Sequence, residues 1–138
     1  MIQVNSVFQV FIIEDLKDAK TFYQTHFGFQ PVFENEWYLH LASQSGIQIA
    51  FMLPNQPTQP NFFQAKHTGD GVIYSIDVED AKLAYQYATK NDLNIQLTLR
   101  DEDWGQRHFV VQDPNGLYVD IAQAIDATDD YNSGYIKQ

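Results

Sequence analysis

The tripeptide Ile13-Glu14-Asp15 returns as Val78-Glu79-Asp80, 65 residues later, and each copy is followed by the same kind of segment. A repeat of this length constrains the fold more than any single motif, because each copy must bury the same faces. Asp15 and Asp80 both read as helix N-caps, whose carboxylates accept unpaired N–H groups of the first turn. After Asp15, the residues Leu16, Ala19, Phe22, Tyr23, His26 and Phe27 form one stripe at helical spacing, and Gly28 is the natural stop. Asp18 stands near the positive end of that helix. After Asp80, Ala81, Ala84, Tyr85 and Ala88 form the matching stripe, to about Asn91. A competing register of 62 aligns Asp15-x-x-Asp18-Ala19-Lys20 with Asp77-x-x-Asp80-Ala81-Lys82 and has more identities. It would move the second cap by nearly one turn, so the register of 65 is preferred.

Around each helix the apolar pattern changes from period 3.6 to period 2. Strands are expected at 7–13, 29–34, 37–42 and 47–53 in the first half, and at 72–78 and 95–100 in the second. A hairpin over 104–120 completes the second half. Its turn, Asp113-Pro114-Asn115-Gly116, has the residues of a type I turn followed by a bulge glycine. Phe109, Val111, Leu117, Val119 and Ile121 fall on one side, and His108, Gln112, Tyr118 and Asp120 on the other. The expectation is an α+β fold of two βαβββ modules, each sheet backed by a helix and open on its other face.

The module boundaries are read as 1–53 and 72–123, with a linker at 54–71 and a tail at 124–138. Pro54, Pro57, Pro60, Gly69 and Gly71 exclude regular structure from the linker. Phe62 and Phe63 within it are expected to cover core, with a pocket wall as the alternative. The polar tail is read as either frayed or a packing arm.

Composition sets outer bounds. A net charge of −10 argues against nucleic acid and anionic membranes as partners and leans towards neutral or cationic ligands. With no cysteine there is neither a disulfide framework nor thiolate chemistry. No apolar run approaches a membrane span and Met1-Ile2-Gln3-Val4-Asn5 does not begin like a signal peptide, so a cytoplasmic location is expected.

The paired modules, the Trp-Gly-Gln-Arg-His-Phe stretch from Trp104 and the Asp-Pro-Asn-Gly hairpin resemble the vicinal oxygen chelate superfamily, over about residues 5–123. That group includes glyoxalase I, extradiol dioxygenases and the bleomycin and fosfomycin resistance proteins. The resemblance implies a cupped mixed sheet with helices on its outer face, and a site where two modules meet, often across a dimer. It also implies four metal-ligand positions, two per module. Carried over one at a time, they fall on Phe8, Ala50, Ile73 (Val72 if the register slips by one) and Asp120. Three of the four have no lone pair to offer a divalent ion. No metal or other cofactor is therefore expected, and the nearest branch is the metal-free, bleomycin-resistance-like one.

Strand parity names what faces the cup instead. The ligand-binding candidates are Phe8, Tyr38, His40, Gln48, Ile73, Ser75, Trp104, His108, Tyr118 and Asp120. Val10, Ile12, Ala50, Met52, Asp77 and Val110 share the same parity, and Trp37 is read as a rim aromatic. Such a lining suits a small organic ligand with aromatic or cationic parts. His40 and His108 are read as equivalent positions in the two modules. Three readings stand: a metal-free binding protein working as a homodimer; a lyase-, isomerase- or dioxygenase-type enzyme using His40, His108 and Asp120 with Asp77; or an accessory domain whose cup is filled by Phe62 and Phe63.

Overall fold

A computed structural model of the chain describes residues 1–136. Two compact units divide it, Met1–Asp70 and a second that begins at Gly71. The first contains β1 (Gln9–Ile12), α1 (Leu16–Phe27), β2 (Gln30–Glu34), β3 (Tyr38–Ala42), β4 (Gln48–Met52) and a one-turn 3-10 helix (Asn61–Phe63). The second contains β5 (Tyr74–Asp77), α2 (Ala81–Lys90), β6 (Asn94–Glu102), β7 (Gln106–Gln112), β8 (Tyr118–Ala124) and a short α3 (Asp129–Asn132). The sheet orders are β1-β4-β3-β2 and β5-β8-β7-β6, so each unit is one βαβββ module. In each, the first and last strands run parallel and the other neighbours antiparallel.

The repeat register of 65 is the one the helices use. Asp15 Oδ1 accepts the Asp18 N–H at 2.9 Å, and Asp80 Oδ1 accepts the Leu83 N–H at 3.0 Å. Gly28 ends α1 in the left-handed region at φ 71°. The two β-turns repeat as well. Asp113 accepts the Gly116 N–H on its carbonyl and the Leu117 N–H on its carboxylate. Ser43 takes the same two roles toward Gly46 and Ile47, with its hydroxyl replacing the carboxylate. Asp80→Ala is expected to lower the unfolding free energy by about 1 kcal/mol, measured by urea denaturation.

Alternation sends one parity of each sheet to its helix. Phe11, Phe51 and Leu39 lie in register across three strands and are buried. Tyr23 of α1 packs on Phe51 with ring centroids 5.3 Å apart. In the second unit Ile76, Ile121 and Phe109 form the equivalent row, and Tyr85 of α2 meets Phe109 at 5.1 Å.

Three expectations change. The strand read as 95–100 continues to Glu102, because Asp101 and Glu102 stay on the ladder opposite Arg107 and Gln106. A bidentate Arg107–Asp101 pair at 2.7 and 3.0 Å offsets the charge there. Phe62 and Phe63 do not cover core: Phe62 is 80% exposed and Phe63 about half exposed. The helix face of that sheet is already filled by α1, and the 3-10 turn after Pro60 holds the two rings outside it. The segment read as a linker is fastened to the first unit through Asn55 N–H to the Gln64 carbonyl and His67 N–H to the Ile12 carbonyl.

The tail is a packing arm. Ile125 and Thr128 donate backbone bonds to the carbonyls of Gly105 and Asp103, and the Tyr135 hydroxyl donates to the Trp104 carbonyl. Gly105 has φ +100°, and a Cβ there would lie 2.8 Å from the Ile125 oxygen. Gly105→Ala is therefore expected to detach the arm, seen as faster proteolysis between 126 and 136 with the sheet's amide protection retained. No helix among the described residues is long and apolar enough to cross a membrane.

Candidate functional site

In the first unit the face away from α1 holds a pocket of about 230 Å³. Strand register builds its floor. Val10 pairs with Ala50, Ile12 with Met52, and Met52 with Tyr38, so Val10, Ile12, Tyr38 and Met52 share one parity. All four line the pocket, with Trp37, Gln59 and Phe63. Asn35 sets the aromatic wall: its Oδ1 accepts the N–H groups of both Trp37 and Tyr38, at 3.0 and 2.8 Å, and so turns the chain into β3. Gln64 sets the roof. Its amide donates to the carbonyls of Gln56 and Gln59 and closes the loop that carries Gln59 and Phe63. None of the seven lining residues is charged, so the aromatic faces of Trp37, Tyr38 and Phe63 are all this pocket offers a cationic ligand.

Beside the pocket runs a side-chain relay. The Tyr38 hydroxyl lies 3.3 Å from His40 Nδ1, and His40 Nε2 lies 2.7 Å from Gln48 Oε1. Phe8 packs edge-on against the His40 ring at 4.6 Å. Phe8, Tyr38, His40 and Gln48 are thus brought together, although of these only Tyr38 lines the pocket. Burial raises the Tyr38 phenol above its ordinary value.

The second unit holds a different cluster. His108 Nδ1 lies 2.7 Å from Asp120 Oδ1, and His108 Nε2 lies 2.9 Å from Glu102 Oε2. All three side chains are nearly buried. Carboxylates only accept, so both ring nitrogens donate and His108 is an imidazolium. Burial works against that charge, but the hydrogen bonds from Glu102 and Asp120, with their Coulomb attraction, outweigh it and raise the His108 pKa. Glu102 is pulled down, first by its bond from His108 and further by Arg100. Trp104 covers the cluster edge-on, 6.4 Å from His108, and Tyr131 of the arm backs it at 6.2 Å. Glu102 is the member that strand assignment to 95–100 leaves out; alternation from Arg100 was the available signal.

The remaining candidates are not drawn into either group. Ile73 precedes β5 and is 70% exposed. Ser75 is exposed beside Asp120 in register, Asp77 is exposed, and Tyr118 is half-buried opposite Gln112. His40 and His108 are not equivalent. His40 pairs with Ala50 and Val110 pairs with Asp120, whereas Tyr38 pairs with Met52 and His108 with Ala122. Counting from the turn glycines therefore matches His40 to Val110, and His108 to Tyr38.

The four metal positions do not fit a divalent ion. Phe8, Ala50 and Ile73 offer no donor, and Ala50 is fully buried. Asp120 could offer an oxygen, but it is paired with the cationic His108. Among the described residues no group of three His, Cys, Asp or Glu side chains is disposed to hold a metal ion.

The sequence pattern of the Glyoxalase/Bleomycin resistance protein/Dioxygenase superfamily matches residues 5–121. No curated protein matches the chain. Among solved structures, a glyoxalase/bleomycin resistance protein/dioxygenase from Nocardioides superposes with a TM-score of 0.75 at 14% identity, covering 91% of this chain and 87% of its own. A member of the same superfamily from Sphaerobacter thermophilus gives 0.70 at 21% identity, over 88% and 98%. A lactoylglutathione lyase from Agrobacterium tumefaciens gives 0.69 at 14% identity, over 88% and 94%. These likenesses carry the fold alone. With two βαβββ modules in place and the family pattern running through nearly all of both, the chain belongs to the Glyoxalase/Bleomycin resistance protein/Dioxygenase superfamily.

Proposed function

We propose that the chain binds a small aromatic organic molecule in the first unit's pocket, without a divalent ion at the family's four metal positions. The observation that carries this reading is the pocket itself: an apolar, aromatic, uncharged wall around about 230 Å³. Its volume counts against an accessory domain whose own Phe62 and Phe63 fill the space. The reading is nearest to the metal-free, bleomycin-resistance-like members. An enzymatic reading through His40, His108 and Asp120 has less support, because each ring nitrogen of both histidines already has a hydrogen-bond partner within the chain. A general base needs a lone pair within reach of the substrate proton.

Calorimetric titration with indole tests the reading. A ligand of that size is expected to bind at one site per chain with a Kd on the order of 10–100 µM. No binding at millimolar indole overturns it. Elemental analysis of protein purified without chelator tests the metal half. Substoichiometric metal is expected, and one divalent ion per chain contradicts it.

A further inference from the structure

We infer that the pocket selects neutral bicyclic aromatic ligands that carry a hydrogen-bond donor, because the Tyr38–His40–Gln48 relay has already committed the Tyr38 proton. This rests on the pocket reading above and specifies the chemistry of its occupant.

The polarity of the relay follows from its far end. Gln48 Oε1 is a carbonyl oxygen and can only accept, so the proton on the 2.7 Å contact belongs to His40 Nε2. In the neutral imidazole Nδ1 then holds a lone pair, and it accepts from the Tyr38 hydroxyl at 3.3 Å. Tyr38 lines the pocket, but its one proton faces His40. What its oxygen has left for a ligand is lone pairs. A ligand N–H or O–H satisfies them; a ligand offering only an acceptor leaves the Tyr38 oxygen unpaired. The hydrogen-bonded row thus runs from ligand to Tyr38 to His40 to Gln48, each group donating to the next.

Size and charge complete the description. A cavity of about 150 Å³ takes benzene, so the 230 Å³ here takes a fused bicyclic ring. Trp37 and Phe63 supply aromatic surface for such a ring, and besides Tyr38 the lining side chains with polar groups are Gln59 and the Trp37 indole. No carboxylate or ammonium lines the pocket to compensate a charged ligand, so desolvation favours a neutral occupant.

The test compares 3-methylindole with 1-methylindole by calorimetry at pH 7.5. They are isomers of equal atom count, and only the first has an N–H. The expected result is about tenfold tighter binding of 3-methylindole, the effect of one satisfied hydrogen bond at a half-buried acceptor. Tyr38→Phe should bring the ratio close to one by weakening 3-methylindole alone. Gln48→Leu, which changes no lining residue, should also shrink the ratio by freeing the relay. Equal binding of the two isomers to the unmodified protein, or tighter binding of 1-methylindole, overturns the inference and leaves the pocket reading standing. Binding of neither isomer at millimolar concentration overturns both.

Discussion

His108→Leu is expected to destabilise the second unit by about 2–4 kcal/mol near pH 5.5. Leucine removes the cation and both of its hydrogen bonds, and leaves Asp120 and Glu102 facing an apolar group in a nearly buried place. Breaking a fully buried pair costs about 3–5 kcal/mol. A smaller cost applies here, since the cluster is not fully buried and Arg100 still holds Glu102 at 3.0 Å. The penalty depends on pH with a definite sign. Burial opposes the His108 charge, but its bonds to Glu102 and Asp120 raise its pKa above the ordinary 6.5. A raised folded-state pKa stabilises fully below the unfolded value, and the gain is lost as pH rises through the raised one. Glu102 is shifted below its ordinary 4.5, chiefly by the bond from His108. Its contribution is present above that ordinary value and disappears as pH falls through the lowered one. The difference between the native protein and His108→Leu should therefore be largest between about pH 4.5 and 6.5 and shrink on both sides. Urea unfolding at pH 3, 5.5 and 9 measures it. A variant as stable as the native chain at pH 5.5, or a gap that widens toward pH 9, contradicts the ion-pair account.

Val10→Trp is expected to weaken indole binding by at least about 30-fold while the unfolding midpoint barely moves. Val10 is about two-fifths exposed, so a larger side chain there overpacks no core. It also lines the pocket on the edge strand β1, beside Ile12 and Met52, and an indole side chain at that point occupies the ligand's volume. Calorimetry and thermal unfolding, run on the same preparation, separate the two effects. Full-strength binding in this variant would mean that the ligand sits elsewhere on the chain. Lost binding with a lowered midpoint would point instead to a disturbed sheet.

What was legible in the sequence was whatever depended on a regular period. The caps at Asp15 and Asp80 and the turn glycines Gly46 and Gly116 stand where local chemistry requires them, so module order and register could be read. Val10, Ile12, Tyr38 and Met52 were recognisable as facing the open side because alternation along a strand is strict. Gln59 was not assigned to the pocket and Phe63 only as the alternative to covering core, since they reach it through a loop closed by the Gln64 amide, and no period records a closure of that kind. Glu102 escaped because Asp101-Glu102-Asp103 looks like a solvated acidic turn. Only the pairing of Arg100 with His108 and of Glu102 with Gln106 turns that side chain toward the histidine. The supposed equivalence of His40 and His108 failed for a simpler reason. The offset between the turn glycines carries His40 to Val110, and the ladder pairs His40 with Ala50 and Val110 with Asp120 accordingly.

The family's metal positions show how far a shared fold constrains chemistry. Asp120 is the one carboxyl among the four positions, but it accepts a hydrogen bond from His108 at 2.7 Å, and the other three positions hold Phe8, Ala50 and Ile73. The fold is shared with the family, but these four positions do not supply a set of metal donors, and function has to be argued from the groups that are present.

The central claim is that the first unit's pocket is where the ligand goes. Titrating isotopically labelled protein with 3-methylindole and following backbone and methyl NMR shifts tests it directly. The account predicts one saturable set of shifts centred on Val10, Ile12, Trp37, Met52 and Phe63, with the signals of Trp104, His108 and Asp120 unmoved. Shifts centred on Trp104 and His108, or none at millimolar ligand, would contradict it.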